Sequence, residues 1–189
     1  MTKKKLLLIP VFLLAVIGVF AFSMIPTANV ADDGISITYH SDVCKTVTRA
    51  DGTVEPTDCS HNLLYNSGKE LIEAYLGDGN TEDAVTNISL CDADVGCAEP
   101  TAAGSEAFNT LMDSGLSPVP GSTYASVAGS DGNWTVSTEF TANASVKTNV
   151  TRLSNQAGIA FAGNSFTLVS LESGDKLSIE WNIWVSDEL

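Results

Sequence analysis

Positive charge is what this sequence has least of. Nine Lys and Arg stand against 23 Asp and Glu, and three of the nine, Lys3, Lys4 and Lys5, lie at the N-terminus. No basic patch is left to contact phosphates, which excludes DNA or RNA as a partner. A surface this acidic also repels anionic lipid and stays soluble. Histidine is scarce as well, with only His40 and His61, and no CxxC spacing occurs among the four cysteines. A thiol-based zinc site is therefore disfavoured. Catalytic motifs are missing too: there is no GxSxG elbow, HExxH pair or Walker loop. His61 lies two residues from Cys59, but that cysteine reads as oxidised rather than nucleophilic. Carboxylates are so numerous that a glycosidase-type pair has no distinguishing mark against surface charge. The expectation is a protein that is not an enzyme.

What is present begins with an apolar run from Leu6 to Ile25, broken only by Pro10, Gly18 and Ser23 and preceded by the three lysines. A basic start followed by an apolar stretch is the pattern of an export signal. The run is also about 20 residues long, enough to span a bilayer as a helix. Two readings stand open. Residues 1–31 are either a signal peptide, cut after Ala28 or Ala31, or an N-terminal hydrophobic helix that anchors the chain in the membrane through residues 6–25. Pro26 and Asn29, at the −3 positions of the two cuts, favour neither. The lysines stay inside in both cases, so both place residues 32–189 outside the cell or on its surface as a single domain. That domain carries six basic against 23 acidic side chains.

Cys44, Cys59, Cys91 and Cys97 all fall in the exported part. An even count in an oxidising compartment points to two disulfides, and Cys44–Cys59 with Cys91–Cys97 close the local loops. The stretch "ISITYHSDVCKTVTR" puts Ile35, Ile37, Tyr39, Val43 and Val47 on one parity and polar residues on the other, the pattern of a half-buried strand. In "NSGKELIEAYLGDG" a helix is expected, with Ser67 and Glu70 as a capping box and Gly77 as its stop. "SEAFNTLMDSG" offers a second short helix through Ala107, Phe108, Leu111 and Met112, and "VTNISL" a strand. From Trp134 to Val150 the apolar residues are even-numbered. A run of that length exceeds one ordinary strand, so a break is expected near Ala142–Ala144. The two final strands, "NSFTLVSL" and "DKLSIEWNIWV", are joined by "ESGD", a connection suited to a hairpin. The fold class is mainly β: an antiparallel β-sandwich, jelly-roll or Greek-key in type, with one or two short helices.

Four Asn-x-Ser/Thr sequons mark candidate glycosylation sites at Asn87, Asn133, Asn143 and Asn149. Acidic loops around Asp92 and Asp94 are the first choices for a Ca2+ ion, although neither they nor 77–83 match an EF-hand; no cofactor is expected. Trp134 and Trp181 fall on core parity, whereas Trp184 falls on the polar side and is the tryptophan available for an exposed contact. The terminal "SDEL" has Ser where the KDEL retention signal has Lys and reads as an acidic tail.

Two segments, "HNLLYNSGKELIEAYLG" and "VSLESGDKLSIEWNIWV", resemble parts of small β-rich structural proteins. Such proteins occur in phage tails and virus-like particles and among secreted archaeal surface proteins. With the intervening "GNWTVSTEF", the resemblance covers roughly residues 61–185. It implies a structural role and carries over no site residues. The export segment, the 35–59 region and the cysteines depart from the pattern and favour a cell-surface protein. The leading expectation is a filament-like subunit that self-associates by β-strand addition, with Ile35, Ile37 and Tyr39 as donor strand. Of the two uses of this segment, pairing of residues 35–48 within their own sheet is favoured slightly over donation. The alternative function is a membrane-anchored carbohydrate- or calcium-binding module.

Overall fold

A computed structural model describes residues 36–78, 83–104, 108–125 and 132–188. The apolar segment 6–25, the expected boundary at 31/32 and the donor candidate Ile35 lie outside the described residues. Among the described residues no helix is long and apolar enough to cross a membrane. The chain is mainly β. Its elements are β1 (Ser36–Thr48), β2 (Asp58–His61), β3 (Leu63–Leu64), α1 (Asn66–Glu73), β4 (Val85–Leu90), β5 (Val119–Pro120), β6 (Ser122–Ala125), β7 (Asn133–Thr141), β8 (Val146–Asn155), β9 (Ala160–Leu171) and β10 (Lys176–Glu188). They form two antiparallel sheets, ordered β2-β1-β10-β7-β6 and β3-β9-β8-β4-β5.

Alternation builds the first sheet. Leu177, Ile179, Trp181 and Ile183 of β10 are fully buried, as are Val43 and Val47 of β1 and Val136 and Phe140 of β7. Successive side chains of a strand point to opposite faces, so each strand turns one apolar row inward. These rows join Ile88, Leu90, Leu153, Phe161, Val169 and Leu171 of the second sheet in one hydrophobic cluster. The break between β7 and β8 falls at residues 142–145, where it was expected.

The chain crosses between the sheets at both edges. β2 pairs with β1 and β3 with β9, so the single residue Asn62 carries the chain from one sheet to the other. On the opposite side β5 pairs with β4 and β6 with β7, with Gly121 between them. A Cβ at Gly121 would stand 2.7 Å from Val136 Cγ1 and 2.9 Å from Ser137 O, so a residue without a side chain is needed for this close crossing.

Five expectations are corrected. "ESGD" does not close a hairpin: β9 and β10 belong to different sheets, and the turn is a corner. Asp175, 3% exposed, organises it. Its carboxylate accepts hydrogen bonds from the backbone N–H of Glu172 (3.0 Å), from Arg49 Nη1 (2.7 Å) and from the backbone N–H of Ala50 (2.8 Å). These donors aim β10 away from β9. Ser67 forms no capping box, because α1 is capped at Tyr65 without a side-chain bond and the Ser67 hydroxyl donates to Ala160 O (2.6 Å) instead. Gly77 does not end the helix directly but lies within a π-helical turn, Ala74–Asp78. The described part of the second helical candidate is extended: Phe108 and Thr110 bridge Cys97 and Cys91, and Leu111 is a core residue. The even parity also fails before Val150. The β8–β9 register shifts between Thr148 and Val150, and the next core residue of β8 is Leu153.

Candidate functional site beside the leading half of β1

β1 pairs with β10 along its whole length, from Ser36 opposite Glu188 to Thr48 opposite Lys176. Its other edge is covered less completely, since β2 pairs only with Asp42 to Lys45. Residues 36–39 face no described strand on that side. Where β2 ends, the crossing at Asn62 leaves a notch of about 420 Å³, lined by Tyr39, His40, Asn62, Leu63, Lys69 and Trp184, among others.

Each wall follows from strand geometry. Tyr39 points inward, edge-on to Phe161 with ring centroids 5.8 Å apart, and its hydroxyl accepts a hydrogen bond from Asn62 Nδ2 (3.0 Å). Burial pushes the Tyr39 hydroxyl above its ordinary pKa, and the hydrogen bond from Asn62 opposes that shift. His40 points outward and stacks on Trp184, with centroids 5.4 Å apart and planes 11° from parallel. His61, at the end of β2, places Nδ1 2.5 Å from Asp42 Oδ1, with its own side chain 90% exposed. Ser41 is buried and lies on the opposite face of β1 from Asp42 and His61, so its hydroxyl is turned away from that pair. The notch thus joins an exposed imidazole–carboxylate pair, a stacked aromatic pair and a stretch of strand backbone.

Of the donor candidates, Ile37 and Tyr39 are engaged by β10 through one edge of β1. All four cysteines are paired, Cys44 with Cys59 and Cys91 with Cys97, as in chains matured in an oxidising compartment. Cys44 and Cys59 stand directly opposite one another and fasten β2 beside the notch. The four sequons differ. Asn133 and Asn143 are exposed and Asn87 and Asn149 half-buried. Asn87 Nδ2 donates to Asn155 O (3.3 Å), and Asn149 Oδ1 is enclosed without a partner among the described residues.

The two calcium candidates are already engaged. Asp92 Oδ1 accepts the Asp94 N–H (2.9 Å), and Asp94 pairs with Lys147 Nζ at 3.0 Å. Among the described residues no group of three or more His, Cys, Asp or Glu side chains is placed to hold a metal. Sequence reasoning singled out Tyr39 and Trp184 but missed His40, Asp42 and His61. The usable signal was parity, since His40 and Asp42 share the outer face of one strand. No protein-family model matches this chain, and neither a curated protein nor a solved structure shows significant similarity to it.

Proposed function

We propose that this protein is an exported, non-enzymatic structural subunit that joins neighbouring copies at the cell surface by β-strand addition. Its two sheets act as a β-sandwich of jelly-roll or Greek-key type, as in the structural proteins that its sequence resembles. The observation that carries the reading is the edge of β1 at residues 36–39, which no described strand covers, lying next to a notch that accommodates side chains of an added strand. Backbone N–H and C=O groups along such an edge are a template for an incoming strand. Because β10 already engages residues 36–39, the segment serves more readily as acceptor than as donor, since a donor role requires that pairing to be released. The disulfide at Cys44 keeps β2 from sliding along the edge. The basic and apolar N-terminal segment supplies export, and the paired cysteines fit an oxidising exterior.

The test is fractionation of the producing cells. Sheared surface material should contain the full chain in fibres, with crosslinks from Lys69 to a second copy. A protein that is always monomeric and absent from sheared material would sink the reading. A second reading, a sugar-binding module, draws on the half-exposed Trp184 ring. It predicts glycan-array hits that disappear in Trp184→Ala.

A further inference from the structure

Three outward side chains of the first sheet fall in one line. His40 is opposite Trp184 in the β1–β10 register, and Trp184 is opposite Asn133 in the β10–β7 register. Directly opposed residues of antiparallel strands share a face, so His40, Trp184 and Asn133 form a row across three strands. The His40 imidazole lies parallel to the indole and takes one of its faces. The other face looks across a strand spacing of about 4.8 Å toward Asn133, the exposed first residue of β7. Asn133 heads the sequon Asn133-Trp134-Thr135.

We propose that Asn133 carries an N-linked glycan whose first sugar lies against Trp184, with His40 backing the indole. A pyranose ring presents C–H groups on its faces, and an aromatic face carries the negative part of the ring quadrupole that attracts them. Attachment at Asn133 makes the contact intramolecular, so a weak interaction is populated at high effective concentration. The Thr135 hydroxyl is within hydrogen-bond distance of Asn182 Oδ1 (3.0 Å), which places attachment before this sheet closes. Asn143 sits in the turn between β7 and β8, outside the row. Asn87 and Asn149, held or enclosed as described above, stay bare. Sugar stacking on Trp184 could also serve glycans from outside; the register with a sequon assigns it to the protein's own.

This inference rests on export to a compartment that glycosylates, and its test separates the two. The full chain is purified from the medium or cell surface of its host, its glycopeptides are mapped, and it is melted before and after deglycosylation, as wild type and as Trp184→Ala. Asn133 should be occupied, and deglycosylation should lower the wild-type Tm by about 2–4 °C without changing that of the variant. Trp184→Leu, which keeps bulk but no π face, substitutes if the alanine variant does not fold. A chain found outside the cell with Asn133 bare overturns the inference and leaves export standing. So does a Tm change of equal size in both proteins. Binding of free oligosaccharide by Asn133→Gln through Trp184 overturns it in favour of external sugars.

Discussion

The two sheets turn very different outer faces away from their shared core. On the β10 sheet the outward positions, Trp184 apart, are polar and meet across strands: Lys176 Nζ lies 2.7 Å from Glu139 Oε1, and Thr135 Oγ1 lies 3.0 Å from Asn182 Oδ1. On the β8 sheet the outer face is covered. The Arg152 guanidinium lies 4.2 Å from the centre of the Phe108 ring, and Val150 is fully buried although it is outside the core cluster. The cover is fastened by the Cys91–Cys97 disulfide and by the bridges at Phe108 and Thr110. Tyr65 reaches over Gly163, where any Cβ would stand 1.9 Å from its hydroxyl oxygen. Burial lowers the Arg152 pKa and raises that of Tyr65, and each side chain's charge partly offsets the other's shift. Neither the Tyr65 hydroxyl nor Arg152 Nε has a hydrogen-bond partner among the described residues. One face is thus held by polar pairs that meet across neighbouring strands, and the other by an enclosed layer with polar groups left over.

The sharpest way to break this contrast is a charge on each face. Val150→Asp should lower unfolding free energy by about 3–5 kcal/mol in urea titrations, because the carboxylate is buried without a partner. Thr141→Asp, on the exposed face opposite Lys176, should stay within about 0.5 kcal/mol of wild type. Equal losses would mean that the β8 face is not covered in solution. The disulfides come next. Replacing Cys44 and Cys59 by Ser opens a loop of 15 residues and should remove about 3 kcal/mol. Replacing Cys91 and Cys97 opens a loop of 6 and should remove about 2 kcal/mol, yet only this pair should speed hydrogen exchange at Val150 and Arg152.

Asp175 joins the two sheets at their corner and gives the contrast a pH test. The Glu172 N–H, Arg49 and the Ala50 N–H hold its carboxyl below the usual range. A depressed folded-state pKa contributes stability that is present above the unfolded value of about 3.9 and lost as pH falls through the folded value. Asp175→Asn should therefore show a lower denaturation midpoint than wild type at pH 7, and the gap should narrow below about pH 4. A gap independent of pH would remove Asp175 from that role. The smallest effect belongs to Lys176→Gln. The pair with Glu139 is about half exposed, so the loss should be at most about 1 kcal/mol and should fade in high salt.

The same contrast explains what was legible in the sequence. β1, β7 and β10 have one face in the core and one in water, so their residues alternate and their inward rows could be read by parity. Trp184 stood out for the same reason. β8 and its cover lie between two layers, where burial on both sides removes alternation. Val150 consequently looked like a core residue, and Phe108, Leu111 and Met112 looked like a helical stripe. "ESGD" has the composition of a hairpin turn; the carboxylate bonds that make it a corner come from Arg49 and Ala50, far away in the chain. His61 meets Asp42 only because β2 pairs with β1, a register no local pattern encodes.

Pairing β1 with β10 has a consequence for the order of events. β10, the last strand described, lies at the centre of its sheet between β1 and β7, so that sheet has a gap at its centre until every other described strand has been made. Contacts this distant in sequence make folding slow. Until β10 arrives, the edges of β1 and β7 that it joins have no partner, so these are the edges most open to mispairing while the domain forms.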